Sequence, residues 1–278
     1  MDAGRKTSKL LSKAPSIYTE ERVAMIMLKC PRLRPIFLLL FPVLSGGCVG
    51  LGGQSTERAV LIASRTEEPI ELDGKLLEPV WARATAYEMT QTRERIAEGI
   101  KTLEAGRVRI AWDDEHLYVA YEFDDSDLLA EGQEDQLHHY QFGDVAELFL
   151  RPVKSRRYWE LYVTPHNLKA EFFFPSSGHF GLPSCFENYR RNLRVSASVD
   201  GTLNNWKDRD RGWSAEMAVP VADLTEYGDS FGPGSEWHIL TGRYNYSVHR
   251  EALELSSAPT LQKQSFHILH QYAVLEFE

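Results

Sequence analysis

Arg107-Val108-Arg109-Ile110-Ala111-Trp112 is followed, after Asp113-Asp114-Glu115-His116, by Leu117-Tyr118-Val119-Ala120-Tyr121-Glu122-Phe123. Val108, Ile110 and Trp112 recur with the two-residue period of a half-buried strand. The second run is rich in β-branched and aromatic side chains, and the four polar residues between the runs supply a reversal. The stretch therefore predicts an antiparallel hairpin.

Similar runs lie on the C-terminal side. Residues 145–151, 158–164 and 168–174 follow at short spacing. Residues 193–199 alternate and end at Asp200-Gly201, a strong turn dipeptide. Residues 212–219 place Trp213, Ala215, Met217 and Val219 on one face, and 237–246 and 271–277 close the set. Many short strands separated by turns predict an all-β chain. The expected fold is a two-sheet antiparallel β-sandwich of immunoglobulin-like or jelly-roll-like kind. Helices are expected to be few and short: one within 78–86, with Pro79 near its start, and one turn at 221–227. Residues 90–105 read as a helix or a loop, and no long amphipathic period appears. Without a second linker or an internal repeat, residues 68–278 read as one domain. Trp81, Trp112, Trp213 and Trp237 sit in patterned segments and are expected in the core. Trp206, in Asn204-Asn205-Trp206-Lys207, is expected exposed in a turn.

The first 47 residues belong to a different kind of segment. Lys29, Arg32 and Arg34 precede the apolar run Ile36-Phe37-Leu38-Leu39-Leu40-Phe41-Pro42-Val43-Leu44, and Ser45-Gly46-Gly47-Cys48 follows. Basic residues, a short apolar run and a small-residue exit describe a secretory signal. The run is short of the roughly 20 apolar residues that span a bilayer. Met25 or Met27 would start a signal of ordinary length. Cys48, directly after small residues, resembles the cysteine of a bacterial lipobox, so it is expected to become a lipidated N-terminus. Residues 48–67 then form a tether. The expected location is the cell envelope, outer membrane or cell surface, with the membrane reached through the lipid.

With Cys30 in the presequence and Cys48 lipidated, only Cys185 remains in the body, so the fold stands without disulfides. The net charge of −9 argues against nucleic acid, which wants a basic face.

Catalytic signatures are missing. No Gly-x-Ser-x-Gly and no phosphate-cradling glycine loop occurs. Asp144 and Glu147 are the nearest carboxylate pair, but an offset of three puts them on opposite faces of a strand, a poor glycosidase arrangement. No zinc-type spacing exists. Asp124, Asp125 and Asp127 offer oxygens for a structural calcium or form a solvated acidic turn. Glu147 shares a face with Val145 and Phe149, and a carboxylate among apolar residues needs a partner. Either it forms a core ion pair, with Arg109 or Arg243, or it lines a ligand face. Tyr140 and Phe142, in the loop before that strand, are candidates for an aromatic rim, since aromatic faces stack on sugar rings.

Several of these blocks resemble, in order, family 9 carbohydrate-binding modules. The first is Ile70-Glu71-Leu72-Asp73-Gly74-Lys75-Leu76-Leu77-Glu78-Pro79-Val80-Trp81, followed by Val108 to Ala120 and by Gly143-Asp144-Val145-Ala146-Glu147-Leu148-Phe149-Leu150. Residues 158–165, 213–220 and 231–245 continue the series. The resemblance implies a β-sandwich shared with DOMON domains and non-catalytic saccharide binding, often beside glycoside hydrolases. Glu147 matches the strand carboxylate that bonds sugar hydroxyls. The family's tryptophan before that strand is replaced by Tyr140, Gln141 and Phe142. Its second tryptophan is absent from Leu255-Ser256-Ser257-Ala258-Pro259-Thr260, and an arginine of the following strand appears as Glu160. The ligand-binding set carried forward is Glu147, Tyr140, Phe142, Asp144, Arg243 and Glu160, with no cofactor. The competing readings are a structural or protein-binding envelope domain that has lost the sugar site, a haem module using Met89, Met217 or His267, and a glycosidase.

Overall fold

The structure, a computed structural model, describes residues 58–176, 189 and 191–278. The signal segment 1–47, Cys48, the tether up to residue 57 and Cys185 lie outside the described residues.

Among the described residues the strands are β1 (Val60–Arg65), β2 (Tyr87–Glu88), β3 (Gly106–Trp112), β4 (His116–Asp124), β5 (Val145–Pro152) and β6 (Tyr158–Val163). They continue with β7 (Lys169–Phe174), β8 (Arg194–Asp200), β9 (Gly212–Pro220), β10 (Trp237–Asn245), β11 (Glu254–Ala258) and β12 (Ala273–Phe277). Three short helices interrupt them: α1 (Pro79–Arg83), α2 (Arg93–Ala97) and α3 (Val221–Thr225). None is long and apolar enough to cross a membrane.

The hairpin expected from 107–123 is β3–β4, with Val108 opposite Tyr121 and Ile110 opposite Val119. Proline at the start of α1 suits a first helical turn, where its missing N–H costs nothing. The Thr92 hydroxyl accepts from the Arg95 N–H and caps α2.

Hydrogen bonding follows one path, β7-β6-β5-β10-β12-β1-β3-β4-β9-β8, with β11 added to β10 and β2 to β3. The all-β expectation with few short helices holds. A β-sandwich is consistent with this path, whose pairing is antiparallel except at β1, which joins the two halves. Its residues 60–63 pair parallel to β12, and Ser64 and Arg65 then pair parallel to β3. β1 also lies inside the stretch 48–67 expected as tether. Leu61 and Ala63 alternate into the core, so the ordered body begins earlier than residue 68.

The main core lies where the two halves of the path face one another. Leu148, Leu150, Trp159 and Leu161 from one half join Val108, Ile110, Val119 and Met217 from the other. Each such fully buried side chain contributes roughly 1.5–3 kcal/mol. Trp81, Trp112, Trp213 and Trp237 are all buried, and Trp206 is 60% exposed, as the patterning predicts.

The segment between β1 and β2 crosses the outer face of β3, β4 and β9. Trp81 and Val80 pack on Ala111, Tyr118, Ala120 and Ala218. Its polar anchor is Glu216 on β9, which accepts from the Trp81 indole N–H at 2.9 Å and from the backbone N–H groups of Gly74 and Asp73 at 2.9 and 3.1 Å. Gly74 has φ +78°, and a Cβ there would lie 2.6 Å from the backbone of Ala197 and Ser198. Only glycine suits both the conformation and the approach. The Asp73-Gly74 and Trp81 positions of the sequence block are thus the points where this segment is pinned.

Candidate functional site

Strand alternation sends Ala146, Leu148 and Leu150 of β5 to the main core and Val145 and Phe149 to the opposite face. Glu147 shares that opposite face. It stands opposite Tyr162 on β6 and Gly242 on β10, while Glu160 stands opposite Phe149 and Phe172. Glu147 and Glu160 are therefore diagonal neighbours on one face, within reach of each other's side chains.

Both are buried, with Glu147 2% and Glu160 5% exposed. The Tyr162 hydroxyl donates to Glu160 Oε1. Glu147 Oε1 and Glu160 Oε2 have no hydrogen-bond partner among the described residues. His267 Nε2 stands 3.9 Å from Glu160 Oε2. Burial pushes that imidazole down to about 4, so it brings no positive charge at neutral pH. Burial likewise pushes the Glu160 carboxyl up to about 7. Glu147 is driven well above the usual carboxylate range by burial first and by repulsion from Glu160 second. The Tyr162 hydroxyl opposes the rise at both. The pair accordingly keeps a proton at neutral pH.

The expected ion pair for Glu147 is not formed. Arg109 pairs with Glu122 at 3.2 Å. Arg243 sits opposite Ala146, one residue on from Gly242, and strand alternation turns it to the other face. There it is fully buried, 3.0 Å from Asp125 Oδ2, 2.8 Å from the Asp124 carbonyl, and stacked 4.4 Å from the Phe123 ring. Arg243 therefore leaves the candidate ligand set.

Asp144 leaves it too. It is buried, and its oxygens accept from the backbone N–H groups of Leu129 at 2.8 Å and Tyr246 at 2.7 Å. It clasps two loops below the rim. Tyr140 is half-buried at the edge of the Glu147 face, 5.4 Å from the Tyr244 ring, and Phe142 is 38% exposed. Of the six candidates, Glu147, Glu160 and Tyr140 share one face, Phe142 lies at the loop end, and Asp144 and Arg243 serve the scaffold.

The acidic turn is likewise occupied. Asp125 pairs with Arg243, and Asp127 Oδ2 accepts from the Val248 N–H at 2.7 Å. No group of three His, Cys, Asp or Glu side chains that could hold a metal occurs among the described residues. Met89 and Met217 pack in the main core, whereas His267 lies beside Glu160 on the opposite face.

The chain between β11 and β12 covers the Glu147 face. Leu261, Phe266 and Tyr272 join Val145, Phe149, Tyr158, Tyr162 and Phe172 in a second apolar cluster. Phe266 occupies the space that a side chain at 242 would take, since a Cβ on Gly242 would lie 2.6 Å from its ring. Sequence reading missed Tyr162, Tyr244 and Phe266, and weighed His267 only as a haem ligand. Tyr162 shares the parity of Glu160 on β6 and was recoverable from alternation. The other three reach this face only through long-range pairing or packing.

Comparison with known proteins places this geometry. No curated protein matches the chain. A candidate carbohydrate-binding protein from Bacteroides uniformis aligns with a TM-score of 0.56 at 14% identity, covering 79% of this chain and 99% of that one. A family 9 carbohydrate-binding module from Caldicellulosiruptor kristjanssonii, solved with cellotriose, aligns with a TM-score of 0.50 at 13% identity, covering 79% and 93%. At such identities these likenesses concern the fold. The profile described as carbohydrate family 9 binding domain-like matches residues 72–232, more than half of the sequence. The chain belongs to the carbohydrate family 9 binding domain-like family.

Proposed function

We propose that this chain is a non-catalytic saccharide-binding domain, exported and held at the cell envelope by lipid on Cys48, that captures glycan for breakdown by separate hydrolases. The observation that carries the reading is the Glu147–Glu160 pair. Two carboxyls lie side by side among tyrosines, each with an oxygen that lacks a hydrogen-bond partner. Sugar hydroxyls offer the donors such oxygens need, and aromatic rims with a few placed polar groups are the general form of a small-molecule site. Tyr140 and Tyr244 supply the rim, and the two-sheet β-sandwich arrangement of the family supplies the frame. On this reading, access to the carboxyls requires the Phe266 ring, packed against Gly242, to be displaced.

A second reading rests on that same Phe266. Its ring fills the face, and the family's two tryptophans are absent, so the scaffold also suits an envelope domain that binds another protein or serves structure alone. A glycan-array screen of the purified chain separates the two. A saturable signal supports capture, and silence from folded protein supports the second reading. Metabolic labelling with a fatty-acid analogue tests the anchor, with label expected on the native chain and lost in Cys48→Ala.

A further inference from the structure

While the Glu147 face is covered, the opposite half of the molecule holds an open groove of about 540 Å³. Its floor is a row of side chains in register across three strands. Glu122 on β4 stands opposite Ser214 on β9, and Ser214 opposite Ser198 on β8, with Arg109 of β3 reaching Glu122. The segment pinned by Glu216 covers the rest of this outer face and borders the row, where the Ser214 hydroxyl donates to the Gly74 carbonyl. Leu77, 78% exposed, forms one wall. Gly212, between Asp124 and Asp200, leaves the open end without a side chain.

The lining is polar and nearly charge-balanced. Arg109 and Glu122 pair at 3.2 Å, and Arg211 and Asp200 pair at 2.6 Å. Near-balanced signs, with Lys75, Arg109 and Arg211 against Glu78, Glu122, Asp124 and Asp200, give little preference for a charged ligand, and Leu77 and Val199 are its exposed large apolar side chains. One polar atom of a lining residue, Glu78 Oε2, is buried without a hydrogen-bond partner among the described residues. It is an acceptor, and a hydroxyl supplies the donor. A buried polar atom left unpaired calls for a partner.

We propose that this groove is a second saccharide-contacting site, taking the hydroxyls of a neutral glycan across Arg109, Glu122, Ser198 and Arg211. The inference rests on the saccharide-binding reading and adds a site on the face remote from Glu147. Glu122 and Arg211 are exposed, and exposed ion pairs contribute little to stability, so their removal leaves the fold intact.

The test is a calorimetric titration of the full chain with cellotriose and with soluble β-glucan. The wild type is expected to show two binding events. Glu122→Ala and Arg211→Ala should each weaken one event by about tenfold, the loss of one charge-assisted hydrogen bond, at unchanged unfolding midpoint. Ser198→Trp should remove it by filling the groove, and Glu147→Gln should affect only the other. If all three groove variants leave the isotherm unchanged while Glu147→Gln alters it, the groove assignment is overturned and the saccharide reading stands. If the wild type binds neither probe, the saccharide reading falls and takes the groove with it.

Discussion

Replacing Glu160 with glutamine removes one of two buried carboxyls while keeping an oxygen that can accept from Tyr162. In the folded chain this carboxyl titrates at about 7, against 4.5 for an ordinary glutamate. The folded state therefore binds its proton more tightly than the unfolded state. The resulting stability is fully present below pH 4.5 and is lost as pH rises through about 7. At about 1.4 kcal/mol for each unit of displacement, the loss by pH 8 is on the order of 3 kcal/mol. Glu147, also raised, adds to the loss in the same direction. Asp125, raised to about 6, behaves likewise, while His238 and His267, both lowered to about 4, act oppositely below pH 6.5. The comparison of variant with wild type cancels Asp125 and His238, while Glu147 and His267 adjoin residue 160 and stay in the difference. Urea unfolding from pH 5 to 9 is expected to give Glu160→Gln within about 1 kcal/mol of wild type at pH 5 and clearly more stable at pH 8. Parallel curves, or a variant less stable than wild type at pH 8, would refute the claim that the pair is buried without a compensating cation.

Arg243→Ala leaves Asp125 charged and buried, and a drop of about 3–5 kcal/mol in urea unfolding is expected. Gly242→Ala forces Phe266 from its place, so a loss of about 1–3 kcal/mol should accompany a change in its ring resonances by NMR. Glu216→Ala strips three donors of their acceptor, and the segment carrying Trp81 should lose hydrogen-exchange protection ahead of the rest of the chain.

The strands were legible where a two-residue period met a turn signal. Residues 107–123 are β3 and β4, 212–219 lie within β9, and Pro79 begins α1 as its fixed φ suggests. β1 escaped notice because its six residues end in Ser64 and Arg65 and follow a glycine-rich stretch, so no turn marks its start. Its parallel pairing depends on edges of β12 and β3 contributed from far along the chain. Glu147 was legible as a carboxylate on an apolar face, by parity with Val145 and Phe149. Its partner was not, because pairing β5 with β10 one residue differently would have faced Arg243 toward it. Strand register decides that, and register is a property of the whole sheet. The cover over the site was hidden for a similar reason. Phe266 lies in a segment without periodicity, and the space it fills exists because Gly242 has no side chain.

The most direct test of saccharide binding is a glycan-array screen of the full chain followed by calorimetry on each hit. The account predicts a saturable hit whose affinity for the Glu147 face falls at least about tenfold in both Glu147→Ala and Tyr140→Ala. A folded protein that leaves the whole array silent, or that binds with both variants indistinguishable from wild type, would contradict it.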